Sequence, residues 1–91
     1  MSIARQVIWT RKVYEFFCDA GNLSQIDRDI LAQRIAGMTV KEMQFFYGLS
    51  ESAIHKRIAR MKKIYDEVQR EYPDELKPRR SSAAETYMDN N

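Results

Sequence analysis

The stretch from Thr39 to Lys63, TVKEMQFFYGLSESAIHKRIARMKK, decides the fold of this chain. Thr39, followed three residues later by Glu42, has the capping-box pattern of a helix start. Gly48 follows after about two helical turns and can adopt the positive φ that a tight turn needs. Ser50 is then placed to cap another helix. The stretch therefore predicts a short helix, a turn and a second helix.

The second of these helices carries apolar residues at steps of four, three, four, three and four: Ile54, Ile58, Met61, Tyr65, Val68 and Tyr72. This spacing forms one seam, nearly three heptads long, which ends at Pro73. We expect the first three residues of the seam to anchor the helix in the core. The preceding helix and the turn should contribute further core residues, namely Met43, Phe46 and Leu49.

The side of the second helix opposite this seam is basic. Five of the eight residues 56–63 are Lys or Arg and none is acidic, whereas acidic residues gather after Lys63. At about 100° per residue, the side opposite the seam holds Ser52, Lys56, Ala59, Arg60 and Lys63. Because Ala59 is small, it would let the helix backbone approach DNA while the long basic side chains reach phosphates or base edges.

A short helix, a glycine turn and a capped second helix are the plan of a helix-turn-helix motif, here about residues 39–63. The first turns of the second helix usually read base edges, and the later basic residues contact phosphates. At the start of the preceding helix, unpaired N–H groups favour an anion. The predicted DNA-binding residues are Thr39, Lys41, Ser50, Glu51, Ser52, His55, Lys56, Arg57, Ala59, Arg60, Lys62 and Lys63.

The rest of the chain also reads as helical. The whole chain holds only three glycines and two prolines, and its apolar residues are mostly spaced by three and four, so we predict an all-α fold. We expect an extra N-terminal helix over about residues 2–20 and another that follows a Ser24 cap and ends at Gly37. The predicted organisation is a helical domain at residues 1–72 followed by a flexible polar tail at residues 73–91.

Composition limits the classes of function. The chain has 91 residues and a net charge of +2, enough for one small domain. No run of about 18 apolar residues could cross a membrane and no signal-like segment opens the chain, so we expect a cytoplasmic protein. Cys18 is a single cysteine that we expect in the core, and His55 has no catalytic partners. We therefore predict no enzymatic activity, no metal and no cofactor.

Residues Leu23 to Ile64 resemble the DNA-binding helices of the fourth conserved region of sigma factors and of LuxR-type regulators. The matching residues are Leu23, Ser24, Asp27, Ile30, Leu31, Gly37, Thr39, Glu42, Gly48, Ser50, Ile54 and Arg57. The segment is also similar to the Lrp/AsnC motif, but there a β-wing should follow, whereas here the helical pattern continues. These families place a small residue where Phe45 stands, at the crossing of the two helices. The resemblance implies DNA binding in transcription by a prokaryotic or phage regulator, with a contact to RNA polymerase.

The lower part of the seam leaves two interpretations open. Tyr65, Val68 and Tyr72 either pack on the first helix of this chain or form an interface with a second copy. We favour the intrachain packing and expect a homodimer in addition, because one recognition helix seldom gives useful specificity and two half-sites do. Two alternative functions remain: an interaction adaptor that docks RNA polymerase or another regulator through Phe45, Tyr65 and Tyr72, and a ring-forming DNA-packaging adaptor.

Overall fold

The computed structural model describes residues 3–80, and this part of the chain is all-helical, as predicted, with no strand. Five helices follow one another: α1 (Ile3–Gln6), α2 (Arg11–Ala20), α3 (Gln25–Ile35), α4 (Val40–Tyr47) and α5 (Glu51–Glu71). The long helix α5 is the centre of the fold, because α2, α3 and α4 all pack against it, while α1 packs on α3.

The N-terminal part differs from the single helix predicted over about residues 2–20. It is divided into α1 and α2 by residues 7–10. The Thr10 hydroxyl accepts a hydrogen bond from the Val13 N–H at 3.1 Å and caps α2. The helical spacing of apolar residues continues across this break, but Thr10 bonds more favourably as an N-cap than inside a helix. The indole of Trp9 donates to the Ile3 carbonyl oxygen and ties the two segments together.

Aromatic side chains join α2 to the lower part of α5. Phe17 and Tyr65 are fully buried, and their rings meet edge to face with centroids 5.2 Å apart. Trp9 completes this cluster, with its ring centroid 5.9 Å from each of the other two. Cys18 is buried beside them, as expected, and burial raises the pKa of its thiol, so this group stays protonated at neutral pH. These contacts give α2 the intrachain partner that the sequence favoured.

The helix termini follow the predicted signals. Ser24 caps α3 by accepting a hydrogen bond from the Asp27 N–H, and α3 ends just before Gly37. The helix α5 ends at Glu71, two residues before Pro73. The proline ring disfavours the helical conformation of the residue before it, and Tyr72 accordingly lies outside the helical region at φ −127° and ψ 64°.

Residues 73–80, which we name the C-terminal strap, correct the prediction of a flexible tail from residue 73. Leu76 is 1% exposed and belongs to the core. The Tyr65 hydroxyl donates to the Lys77 carbonyl oxygen at 2.6 Å. The Arg79 guanidinium binds both Asp66 carboxylate oxygens, at 2.8 and 2.7 Å. One apolar side chain and these polar contacts hold the strap against α5, and the remainder of the predicted tail, 81–91, lies outside the described residues.

Candidate nucleic-acid interface

The connection between α4 and α5 has the geometry that its residues predict. The Thr39 hydroxyl accepts from the Glu42 N–H at 3.1 Å, and the Glu42 carboxylate accepts from the Thr39 N–H at 2.8 Å, which completes a capping box. Gly48 ends α4 at φ 67°, in the left-handed region where a side chain would be strained. The Ser50 hydroxyl then caps α5 by accepting from the Ala53 N–H. Two helices therefore meet across a three-residue connection.

The apolar side of α5 is anchored as predicted, with one exception in α4. Ile54, Ile58 and Met61 are buried, together with Met43 from α4. Leu49 is partly buried and packs against this core from the turn. Phe46 was also expected in the core, but it is 65% exposed, and its ring forms a T-shaped contact with that of the neighbouring Tyr47. The core between α4 and α5 therefore closes without Phe46.

The opposite side of α5 is exposed along its whole N-terminal half. The residues exposed there are Glu51, Ser52, His55, Lys56, Ala59, Arg60 and Lys63. Within residues 3–80, the side chains of Lys56 and Lys63 form no ion pair. Two uncompensated ammonium groups and one small residue thus share a face that is open to solvent. We call the face formed by Ser52, Lys56, Ala59, Arg60 and Lys63 the basic face.

A buried carboxylate holds two arginines of this region. The Asp27 side chain, on α3, is 4% exposed. Its Oδ1 accepts from Arg57 Nη1 at 3.0 Å, and its Oδ2 accepts from Arg60 Nη2 at 2.9 Å. Because each carboxylate oxygen has a guanidinium partner, the buried charge is compensated. The cluster keeps a net charge of +1 and fixes the N-terminal half of α5 against α3.

The Asp27 contacts change the roles of two predicted DNA-binding residues. The Arg57 side chain is 31% exposed and directed to Asp27, so its first role is to position α5. The Arg60 side chain is 58% exposed and uses only Nη2 in this contact, which leaves other guanidinium N–H groups open to solvent. The sequence did not indicate this cluster as a site. A signal was present, because Asp27 stands three and four residues before Ile30 and Leu31, on the apolar side of α3.

The start of α4 is less open to an anion than its position suggests. The Glu42 carboxylate already binds both the N–H and the hydroxyl of Thr39. These two hydrogen bonds lower the pKa of Glu42, so the carboxylate stays charged and in place at neutral pH. A phosphate at this point would have to displace it. Lys41 is exposed in the first turn of the same helix, and Lys62 on α5 is partly buried.

Glu51 and His55 form a further pair at the start of α5. The His55 Nε2 lies 3.5 Å from the Glu51 Oε2, one helical turn away, and both side chains are exposed. The pair is ionic only when the imidazole is protonated, so a negative phosphate near His55 would compete with Glu51 for the same nitrogen. The two predicted base-reading residues are thus close enough to contact each other in the free protein.

The three candidate interface residues differ in burial. Tyr65 and Val68 are buried inside this chain and belong to its own core, in line with the favoured intrachain packing and not with a contact to a second copy. Tyr72 is 42% exposed and packs edge to face on Phe16 of α2, with ring centroids 5.4 Å apart. The lower seam of α5 is therefore used mainly for intrachain packing.

Phe45 does not lie at the crossing of α4 and α5. It is 94% exposed, whereas the preceding Gln44 is partly buried. Adjacent helical residues point about 100° apart, so a shift of one position carries the ring from the helix crossing into solvent. Phe45 is directed into solvent, so α4 and α5 cross without interference from its ring.

Neither the described side chains nor comparison with known proteins assigns this chain to a family. Residues 3–80 contain no cluster of three or more potential metal-ligating His, Cys, Asp or Glu side chains, and none of their helices is both long and apolar enough to cross a membrane. Comparison with protein-family models, curated proteins and solved structures found no match to this chain. The resemblance to sigma-factor and LuxR-type helices stays a prediction from the residues that carry it.

Proposed function

We propose that this chain binds double-stranded DNA through a helix-turn-helix formed by α4 and α5, as a small transcription regulator. The observation that carries the proposal is the exposed basic face of α5, which directly follows a capped helix and a left-handed glycine turn. A major groove is wide enough to admit one α-helix, and residues 51–63 present their polar side outward for such a contact.

The N-terminal turns of α5 would read the bases. Ser52 and Lys56 lie on the exposed side four residues apart, with Glu51 and His55 beside them. Lysine can donate to guanine N7 and O6, and serine can donate or accept at several base edges. The small side chain of Ala59 would let this part of the helix enter deeply between the two phosphate backbones.

The later residues of the basic face would contact phosphates. Lys63 is exposed without an ion pair in the described chain, and Arg60 has guanidinium N–H groups left over from its contact with Asp27. Since Asp27 restrains the Arg60 side chain, less conformational entropy would be lost when this guanidinium binds a phosphate. Lys62 would contact the backbone from the flank, and Arg57 would act by holding α5 in position.

We further propose that the active form on DNA is a homodimer. A single exposed helix face with about five side chains supports only a short recognition site. Two copies on neighbouring half-sites about one DNA turn apart would double the number of contacts. A contact with RNA polymerase is compatible with this arrangement and rests only on the resemblance to sigma-factor helices.

A fluorescence anisotropy titration tests the proposal with a labelled random-sequence duplex at salt concentrations between about 50 and 200 mM. We expect affinity to fall steeply with salt, by about a hundredfold if four phosphates are contacted. Lys56→Ala and Lys63→Ala should each weaken binding, and Lys63→Ala should reduce the salt slope by about one.

The matched control is Lys12→Ala, which removes an exposed lysine from α2. Its affinity should stay within about twofold of the wild type, because a net change of one charge has little effect at these salt concentrations. Salt-independent binding by the wild type, or equal losses for Lys12→Ala and Lys63→Ala, would contradict the proposal.

A further inference from the structure

The largest exposed apolar feature of α4 is a pair of adjacent phenylalanines, which we name the Phe45–Phe46 patch. Phe45 is 94% and Phe46 65% exposed, and the only other exposed large hydrophobic residues in the described chain are Ile8 and Tyr72. Single exposed apolar residues are common, but two neighbouring Phe side chains on one helix are costly to leave in water. The internal packing of residues 3–80 leaves Phe45 almost uncovered and covers Phe46 only in part, by its contact with Tyr47.

The charges beside the patch are balanced. Lys41 and Glu42 stand one turn before Phe45 and Phe46 respectively, and both are exposed. An apolar centre with a polar rim is the usual composition of a protein contact surface. Because the rim carries one charge of each sign, two identical patches can approach without net repulsion. A strongly acidic or strongly basic partner would not be complementary to this balanced pair of charges.

The area of the patch fits a weak contact. A fully covered Phe side chain buries about 150–250 Å², so four such rings from two copies bury at most about 600–1,000 Å². Stable specific interfaces bury about 1,200–2,000 Å². Two copies paired only through these rings would separate readily in dilute solution. Held on neighbouring DNA half-sites, they would meet at a much higher effective concentration.

We infer that the Phe45–Phe46 patch is a self-association surface, through which two copies of this chain pair weakly in solution and firmly when both are bound to DNA. The inference rests on the proposed function for its DNA-bound form. It locates the contact on α4, the helix before the proposed recognition helix, and not at Tyr65 and Val68, which are buried.

Sedimentation equilibrium of the free chain tests the self-association without DNA, between about 10 µM and 1 mM, the range expected of so small an interface. We expect the weight-average mass to rise from 10.8 kDa towards twice that value. Phe45→Ser and Phe46→Ser should each shift the midpoint of the rise at least tenfold to higher concentration. Their folding is checked by circular dichroism, and both should fold, because neither ring belongs to the core.

The matched control is Ile8→Ser, which removes another exposed apolar side chain from a different segment, and it should associate like the wild type. The inference is overturned if the wild type remains monomeric up to 1 mM, if Phe45→Ser associates as the wild type does, or if the chain forms rings or larger assemblies. A monomeric wild type would leave the DNA titration untouched as a test of the proposed function, so the failure of the inference and the failure of the proposed function are distinguishable.

The DNA-bound form is tested with two duplexes, a short one of about 12 bp with room for one copy and one three times that length. The wild type should bind the long duplex cooperatively. Phe45→Ser should lose this cooperativity and keep its affinity for the short duplex. Equal cooperativity in the two proteins would contradict pairing through the patch, whereas failure of both to bind the short duplex would contradict DNA binding itself.

Discussion

The two halves of α5 differ in packing and exposure although they belong to one uninterrupted helix. Residues 51–63 bury one apolar side against α4 and α3 and leave the opposite, basic side in solvent. In residues 64–71, Tyr65 contacts Phe17 of α2 and Lys77 of the C-terminal strap, and Val68 is buried in the core. The first half therefore has a free face available for a partner, and the second half is mainly the structural support of the fold.

Each half is also fixed by an aspartate that binds arginine, and the two contacts differ in burial. Asp27 reaches α5 from α3 and is almost completely buried between Arg57 and Arg60. Asp66 belongs to α5, is 37% exposed and binds Arg79 of the strap. Removing the partners of a buried charge destabilises the folded chain much more than removing those of an exposed charge. The aspartate–arginine contact should therefore contribute more stability in the first half than in the second.

The largest expected effect is that of removing both arginines from Asp27. The double variant Arg57→Ala/Arg60→Ala leaves a buried carboxylate without partners, and we expect the free energy of unfolding to fall by about 3–5 kcal/mol. Urea denaturation followed by circular dichroism measures it. Lys56→Ala/Lys63→Ala, which removes the same number of charges from the same half of α5, is the control. Similar losses in the two double variants would mean that Asp27 does not anchor the helix.

A smaller loss is expected where Leu76 fastens the strap to the second half of α5. Leu76→Ala leaves a cavity in the core, and we expect a loss of about 2–4 kcal/mol of unfolding free energy. Lys77→Ala, one residue further and exposed, should change stability by less than about 0.5 kcal/mol. If Leu76→Ala were as harmless as Lys77→Ala, the strap would contribute nothing to the stability of the folded chain.

The ion pair between Asp66 and Arg79 should give a modest, pH-dependent contribution. The hydrogen bonds from Arg79 lower the pKa of Asp66 in the folded chain. Its stabilisation is therefore present above the unfolded pKa of about 3.9 and is lost as the pH falls through the lower folded value. We expect Asp66→Asn to destabilise by about 1 kcal/mol or less at pH 7 and to lose this part of the acid dependence.

Denaturant midpoints at pH 7, 4 and 3 measure this contribution, with Glu67→Gln as the exposed control on the next residue of α5. The gap between wild type and Asp66→Asn should narrow as the solution is acidified, while the control should follow the wild type. A gap that stays constant down to pH 3 would show that the carboxylate charge is not what holds Arg79.

The smallest effect on stability is expected on the basic face itself. Lys56→Ala and Lys63→Ala remove exposed side chains that have no ion pair in the described chain, so each should change the free energy of unfolding by less than about 0.5 kcal/mol. Removing either lysine should be detectable only as weaker DNA binding. A marked loss of stability in either variant would indicate a structural role for these lysines and weaken the comparison between the two halves.

Local signals in the sequence predicted the helix-forming parts of the first half well. Thr39 with Glu42, the glycine at position 48 and the Ser50 cap each act within four residues, and their hydrogen bonds form as expected. The alternation of buried and exposed residues along α5 follows from helical spacing in the same way. Thr10 is the local signal that was overlooked, because the apolar spacing continues across the break that it caps.

Long-range contacts could not be predicted in this way. Asp27 meets Arg57 and Arg60 across 30 and 33 residues, and Arg79 meets Gln6 across 73. The polar composition of the strap suggested a free tail, but a single Leu76 in the core and a few hydrogen bonds suffice to hold it. The exposure of Phe45 and Phe46 could not be predicted either, because a difference of one helical position decides whether a ring is buried or exposed.

The most direct test of the central claim is an NMR titration of the isotope-labelled full chain with a duplex of about 15 bp. The claim is that the first half of α5 is the DNA-binding face and the second half is structural support. It predicts that the amide signals with the largest shifts belong to residues 51–63, with small shifts in residues 64–71 and in the strap. Shifts concentrated in the strap or in the second half of α5, or no shifts at all at low salt, would contradict it.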